Sequence, residues 1–213
     1  MIKLDPILEQ YILDHTTPED PLLAELSRET WKKMVHPQMI AGPLQGRILE
    51  MISRMIHPHR ILEIGTFTAY SSICLARGLA EDGHLFTIEK DDEITEFANS
   101  FIQKSGLAEH ITLLTGDARD IIPAMDEIFD LVYLDADKDE YLDYYKLVFP
   151  KLKNGGFILA DNTLWGGKVL DTPESGDHFT RGVLAFNEAI SKDPLVEQVI
   201  LPVRDGIMLI RKI

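Results

Sequence analysis

From residue 60 onward, short apolar runs alternate with stretches of helical periodicity, and this alternation constrains the fold more than any other feature of the chain. The runs Arg60–Ile64, His84–Ile88, Ile111–Thr115, Phe129–Leu134 and Gly156–Ala160 read as strands. Helical patterns fall near 69–80, 91–105, 118–125, 139–152 and 180–191. Strands separated by helices form βαβ units and a mainly parallel sheet. Right-handed crossovers then bring the carboxyl ends of the strands to one edge, where ligands of such folds bind. Val196–Leu201 and Gly206–Ile210 differ, because Pro-Val-Arg-Asp between them leaves no room for a crossover helix. They form a hairpin, which closes a parallel sheet with an antiparallel last strand.

Ahead of this pattern, the first 57 residues read as helices. Leu4, Leu8 and Ile12, then Leu22, Leu23 and Leu26, recur at helical spacing, broken by Thr-Thr-Pro-Glu-Asp-Pro at 16–21. A third helix begins near Pro43, with Leu44, Ile48, Met51, Ile52 and Met55 on its apolar side. At 213 residues the chain reads as one domain, a helical part over 1–57 and an α/β core over 58–213. No apolar run reaches the roughly 18 residues of a membrane span. The start, Met1-Ile-Lys-Leu-Asp-Pro, lacks the basic-then-apolar pattern of a signal peptide. A formal net charge of −14 disfavours nucleic acid and anionic membranes as general partners. The single cysteine, Cys74, excludes an internal disulfide and a Cys-based zinc cage, so a cytoplasmic location is expected.

The loops after the strands carry the chemistry. Ile61-Leu-Glu-Ile-Gly-Thr-Phe-Thr-Ala-Tyr-Ser-Ser is a strand, a turn and the start of a helix. A dinucleotide fingerprint needs three glycines there. Gly65 supplies the first, but Phe67 and Tyr70 occupy the other two positions and keep a pyrophosphate at a distance. A nicotinamide-dependent dehydrogenase is thereby the weaker reading of this sheet. Glu63 opposes a phosphate and suits a cationic amino group; its alternative is a bond to a nearby backbone amide. For Gly65 the alternative is an ordinary tight turn. Glu89 ends the second strand and is placed to accept both hydroxyls of a ribose, unless it merely joins the charge run Lys90-Asp-Asp-Glu. Asp117 is placed to accept from an adenine amino group with the Ala118 amide nearby, or to cap a helix. Together these loops describe a pocket for adenosine with a cationic, amino-acid-like tail, which is S-adenosylmethionine.

Two further strand ends point to a cation. The fourth strand runs into Asp135-Ala-Asp-Lys and the fifth into Asp161-Asn-Thr. Asp135, Asp161 and Asn162 offer two carboxylates and an amide oxygen, a hard donor set for Mg²⁺, Ca²⁺ or Mn²⁺. The alternatives are helix-capping aspartates and an Asp-Asn turn. Lys138, three residues past Asp135, becomes a candidate base beside a cation; without such neighbours it is a surface lysine. Trp165-Gly-Gly opens a polar stretch through Thr180 that reads as a lid or an exposed loop. Tyr141, Tyr144 and Tyr145 share one helix and read as packing, and Cys74 as a buried small residue.

Leu62-Glu-Ile-Gly-Thr-Phe-Thr-Ala-Tyr-Ser, Asp135-Ala-Asp-Lys-x-x-Tyr141 and Asp161-Asn-Thr-Leu-Trp-Gly-Gly closely resemble the cation-dependent O-methyltransferases of the caffeoyl-CoA and catechol type. The resemblance runs from Met39 to Arg204-Asp-Gly. Ala69 departs from the family's usual glycine, which is tolerable where that position is helical. The resemblance implies a Rossmann-like class I methyltransferase fold with an antiparallel last strand. It implies that Glu63, Gly65, Thr66, Ser71, Glu89, Ala118 and Asp135 line the S-adenosylmethionine pocket, with Asp137 on the cofactor side. Backbone around Met39 and Ala41 matches a segment that closes over the methionine end. Asp135, Asp161 and Asn162 match metal ligands, Lys138 matches the base, and a homodimer is usual. The implied reaction moves a methyl to one hydroxyl of a vicinal diol, on a catechol-type small molecule or its CoA ester. The same chemistry on a hydroxylated transfer RNA base is the alternative that the acidic charge disfavours. A binding module without catalysis would lack the metal ligands or the lysine, and all four residues are present.

Overall fold

A computed structural model describes residues 5–213; Leu4 of the first periodic run and the three residues before it lie outside the described residues. Three helices lead: α1 (Pro6–Asp14), α2 (Pro21–Lys33) and α3 (Gly42–Ile56). The first two start alike. Asp5 and Asp20 accept hydrogen bonds from backbone amides of the opening turn, and a proline follows each. A capping carboxylate and a proline that needs no partner for its missing N–H are strong start signals.

Seven strands follow: β1 (Arg60–Ile64), β2 (His84–Glu89), β3 (Ile111–Thr115), β4 (Phe129–Leu134), β5 (Leu152–Ala160), β6 (Val196–Leu201) and β7 (Ile207–Lys212). They form one sheet in the order β3-β2-β1-β4-β5-β7-β6. β2 and β3 pair in parallel, as do β4 and β5, whereas β7 runs antiparallel to both β5 and β6. The interleaved helices are α4 (Tyr70–Ala76), α5 (Thr95–Lys104), α6 (Ala118–Ala124), α7 (Tyr141–Val148) and α8 (His178–Lys192). No helix among the described residues is long and apolar enough to cross a membrane.

The chain packs as two compact units. The first runs through Ile61 and resumes over Thr66–Gly116; it contains α1 to α5 with β2 and β3. Its core joins α3 to α4, where the Ser53 hydroxyl donates to the Leu75 carbonyl at 2.6 Å. Glu50 of α3 is buried and bonded by Arg47 and Arg54, each at 3.0 Å. The second unit comprises Leu62–Gly65 and Asp117–Ile213. There α7 buries Tyr141, Tyr144, Tyr145 and Val148, the i, i+3, i+4, i+7 stripe of an inward-facing helix. Phe186 of α8 meets the Tyr141 ring edge-on at 5.4 Å. The apolar run of β4 is buried at Phe129 and again from Leu131 to Leu134, as a central parallel strand requires.

Several boundaries differ from the periodicity. Ala69 is not helical: it sits at φ 69°, ψ 18°, in the left-handed region, and α4 starts one residue later. The condition that made alanine tolerable in place of the family's glycine therefore fails, and the alanine carries the roughly 1–2 kcal/mol that an L-residue loses in that region. Residues 92–94 form a separate 3₁₀ turn ahead of α5, and Phe149-Pro-Lys forms another after α7, because proline cannot continue the helix. β5 begins at Leu152 rather than Gly156, and its pairing with β4 shifts register between Phe129 and Leu131.

Candidate active site

The second unit brings Asp135, Lys138, Asp161 and Asn162 to the ends of β4 and β5. Leu134 and Ala160, the last residues of β4 and β5, are register partners. Asp135 and Asp161 thus leave neighbouring strands side by side, as the sequence predicts, and the Asp161 amide donates to the Leu134 carbonyl at 2.9 Å. Asp161 is only 4% exposed. Its carboxylate accepts from the Tyr133 hydroxyl at 3.1 Å and from the Asn162 amide at 2.7 Å. Asn162 is left-handed at φ 56°, a conformation that asparagine tolerates better than most residues.

Lys138 is 8% exposed, so the surface-lysine alternative is out. Its Nζ donates to Asp135 Oδ1 and to the Tyr141 hydroxyl, both at 2.8 Å. The Tyr141 hydroxyl in turn lies 3.2 Å from the Leu134 carbonyl and 3.1 Å from the Asp161 carbonyl, which share its proton. One phenol therefore ties the amine to the ends of both strands. Burial pushes the Tyr133 and Tyr141 phenols well above their usual ionisation range, and the Asp135 and Asp161 carboxylates add to the shift. Both phenols stay neutral donors.

Sequence reasoning placed Tyr141 among packing residues and did not single out Tyr133. The i, i+3 spacing from Lys138 was the available signal for Tyr141. Tyr133 offered none, since its partner lies 28 residues away.

The donor set fits a hard cation. Among the described residues no group of three or more His, Cys, Asp or Glu side chains gathers at metal-binding spacing. Two carboxylates at adjacent strand ends, one of them buried, plus the Asn162 amide oxygen make the oxygen-only set that Mg²⁺, Ca²⁺ and Mn²⁺ prefer.

Of the expected cofactor residues, Glu63, Gly65, Asp117, Ala118, Asp135 and Asp137 belong to the second unit. Glu63 is fully buried in β1. Gly65 has φ 97°, and a Cβ there would fall 2.1 Å from the Asp135 carbonyl oxygen. This close backbone approach alone requires glycine, whatever else the turn holds. Asp117 caps α6, as its alternative reading allowed: it accepts from the Arg119 amide at 2.9 Å and from the Arg119 guanidinium at 3.0 and 2.6 Å. Ala118 is the buried first residue of that helix, and Asp137 precedes the short turn that carries Lys138.

Met39, Ala41, Thr66, Ser71 and Glu89 belong to the first unit. Glu89 is anchored rather than part of a solvated run: its carboxylate accepts from the Phe67 amide at 2.7 Å and the Asp91 amide at 2.9 Å. The Thr66 hydroxyl is buried 2.5 Å from that of Thr87. Ser71 lies in the first turn of α4. Met39 ends a 3₁₀ turn and is exposed, whereas Ala41 is buried at the start of α3.

A family profile described as O-methyltransferase matches residues 13–213. The chain belongs to this O-methyltransferase family. Caffeoyl-CoA O-methyltransferase 2 of Petunia hybrida is 36% identical over 97% of this chain and 90% of its own length. The caffeoyl-CoA O-methyltransferase of Eucalyptus gunnii is 35% identical over 97% and 87%. An O-methyltransferase from Bacillus cereus, solved in complex with SAH, superposes with a TM-score of 0.90 at 29% identity over 97% of both chains. The O-methyltransferase TomG of Streptomyces achromogenes, solved in complex with SAM, gives 0.89 at 31% identity over 97% and 96%. The sheet order and these neighbours make the fold the Rossmann-like class I methyltransferase fold. This O-methyltransferase uses S-adenosylmethionine and is of the caffeoyl-CoA O-methyltransferase-like kind, so the dehydrogenase alternative falls.

Proposed function

We propose that this methyltransferase is cation-dependent and methylates one hydroxyl of a vicinal diol, on a catechol-type small molecule or its CoA ester. The observation that carries the reading is the fixed position of the Lys138 amine, 2.8 Å from both Asp135 Oδ1 and the Tyr141 hydroxyl, beside the paired ends of β4 and β5. Asp135, Asp161 and Asn162 would hold the cation. Bound there, a divalent cation supplies charge that favours the ionised form of a chelated hydroxyl.

The chain's own residues do the rest. Lys138 takes the hydroxyl proton at Nζ. The Asp135 carboxylate and the Tyr141 hydroxyl accept the resulting ammonium's N–H bonds and stabilise its charge. The freed oxygen attacks the sulfonium methyl in line; a C–O bond forms, the C–S bond breaks and the electron pair leaves with sulfur. Sulfonium is already a good leaving group, so alignment and proton removal are most of the catalytic work. We assign Glu63 to the cationic amino group of S-adenosylmethionine and Glu89 to its ribose. We assign Asp117 to the adenine amino group. Gly65, Thr66, Ser71, Ala118, Asp137 and the Met39–Ala41 backbone complete the assignment.

Methyl transfer from labelled S-adenosylmethionine to a catechol, with Mg²⁺ and then with EDTA, tests the reaction, and a CoA ester of the same ring separates the two acceptor classes. Turnover that persists in EDTA refutes the cation. Asp161→Ala should abolish turnover and leave S-adenosylmethionine affinity within about threefold; an equal collapse of cofactor binding refutes the separation of the two sites. We also propose a homodimer. None of the residues of α1 is buried in the single chain, and Ile7, Leu8 and Tyr11 are exposed on it. Light scattering at the monomer mass would refute this.

A further inference from the structure

The segment after β5 has an unusual backbone. Asn162, Trp165, Gly166 and Gly167 are all left-handed, at φ 56°, 45°, 63° and 87°. A bulky residue such as Trp165 is disfavoured in that region. Conformations of this kind persist only where surrounding structure over-determines them.

The surrounding structure is the turn between β6 and β7. The Thr163 amide and hydroxyl donate to the Gly206 carbonyl at 3.0 and 3.1 Å. The Leu164 amide donates to the Asp205 carbonyl at 2.9 Å. The Gly166 amide donates to Asp205 Oδ1 at 2.6 Å. Gly206 permits the approach: it has φ 86°, and a Cβ there would fall 2.5 Å from Leu164 Cγ. From the other side, Asn187 of α8 donates to the Thr163 carbonyl at 2.7 Å. The turn itself is stiffened by bonds from Val203 to Leu201 and from Gly206 to Val203, each at 2.8 Å.

We propose that Asp205 is a positioning residue for the cation site. Its carboxylate and carbonyl clamp Gly166 and Leu164, and this fixes the strained segment that carries Asn162. Asp205 bonds the backbone of Leu164 and Gly166 and acts through Asn162. The inference rests on the reading of Asp161 and Asn162 as cation ligands, and its test keeps the two apart. Removing a partner that orients metal ligands typically weakens metal affinity by about 10–100-fold.

The experiment measures Mn²⁺ binding directly, by the electron paramagnetic resonance of free Mn²⁺, without S-adenosylmethionine. S-adenosylmethionine affinity and thermal midpoint are measured on the same samples. Asp205→Ala is expected to weaken Mn²⁺ by about 10–100-fold with S-adenosylmethionine affinity within about twofold. Asp205→Asn keeps an acceptor oxygen and is expected to recover affinity to within about threefold of the parent; it also serves if the alanine variant fails to fold. The reference is Asp161→Ala. If it loses Mn²⁺ while Asp205→Ala keeps parental affinity, the cation site stands and the positioning role is overturned. If Asp161→Ala itself binds Mn²⁺ like the parent, the cation reading falls and takes this inference with it. Parallel losses of Mn²⁺, S-adenosylmethionine and thermal midpoint in both Asp205 variants would mark a merely structural role and also overturn it.

Discussion

Raising the pH above 10 is expected to unfold this methyltransferase through its tyrosines. The chain has six. Burial pushes the ionisation of Tyr70, Tyr133, Tyr141, Tyr144 and Tyr145 above the usual range, and neighbouring carboxylates reinforce the shift. In the unfolded chain each ionises near its ordinary value of about 10. A group whose folded pKa exceeds its unfolded pKa contributes stability that is fully present below the unfolded value. Above it the contribution drains away, because the unfolded chain sheds protons that the native state retains. One phenol held neutral loses about 1.4 kcal/mol by pH 11. Tyr133 and Tyr141 are wholly buried, so the pair loses about 3 kcal/mol, a large share of the roughly 5–15 kcal/mol typical of a folded protein. At about 2–4 °C per kcal/mol for this size, the thermal midpoint should drop by roughly 6–12 °C between neutral pH and pH 11. The other three act in the same direction. Tyrosinate absorbance and far-ultraviolet circular dichroism, followed through one titration, check this: the absorbance of five phenols should grow in step with loss of helix. If four or more ionise reversibly while the helix signal holds, the reasoning is refuted. Tyr133→Phe serves as the control. Once its loss at neutral pH is subtracted, its stability should fall by about 1.4 kcal/mol less over the same interval.

Gly65→Ala should destabilise by about 2–4 kcal/mol in urea denaturation, since the new methyl would lie 2.1 Å from the Asp135 carbonyl oxygen at a left-handed φ; a loss within the error of extrapolation would contradict the close approach. Lys138→Met should lower kcat by about 10²–10⁴-fold with S-adenosylmethionine affinity retained, and a kcat within a few-fold of the parent would exclude Lys138 as the base. Asp177→Ala removes the cap of α8, which accepts from the Thr180 amide at 3.0 Å and its hydroxyl at 2.7 Å. It should cost about 1 kcal/mol, read as a fall of about 2–4 °C in thermal midpoint with kcat unchanged.

What could be read from the sequence followed how far each feature's cause lies along the chain. β4 is a continuous apolar run and α7 an i, i+3, i+4, i+7 stripe, so a local window defines each. The meeting of Asp135 and Asp161 was legible too, because right-handed crossovers and strand order place consecutive strand ends at one edge. Ala69 was misjudged because periodicity reports which residues are apolar and not which φ a helix start demands. Tyr133 belongs to the candidate site through Asp161, and Asp205 through Gly166, partners 28 and 39 residues distant. No spacing rule reaches that far. Asp117 and Glu89 show the converse: each admits two readings from a local window, and the bonds to Arg119 and to the Phe67 and Asp91 amides add what each carboxylate holds within the chain.

The placement of β7 between β5 and β6 also has a consequence for biosynthesis. Thr163 and Gly206, which share a carbonyl between them, are 43 residues apart. At about 5–20 residues per second the ribosome delivers Gly206 some 2–9 s after Thr163. Throughout that interval the nascent chain has made Asp135, Lys138, Asp161 and Asn162 but not the turn that grips the segment following them. β5 must also wait with one edge unpaired until β7 arrives to occupy it, and an unpaired apolar edge is where a growing chain is open to mispairing. A message truncated between Asn162 and Asp205 would therefore encode every proposed cation ligand and still yield a protein whose ligand-bearing loop lacks the turn that grips it.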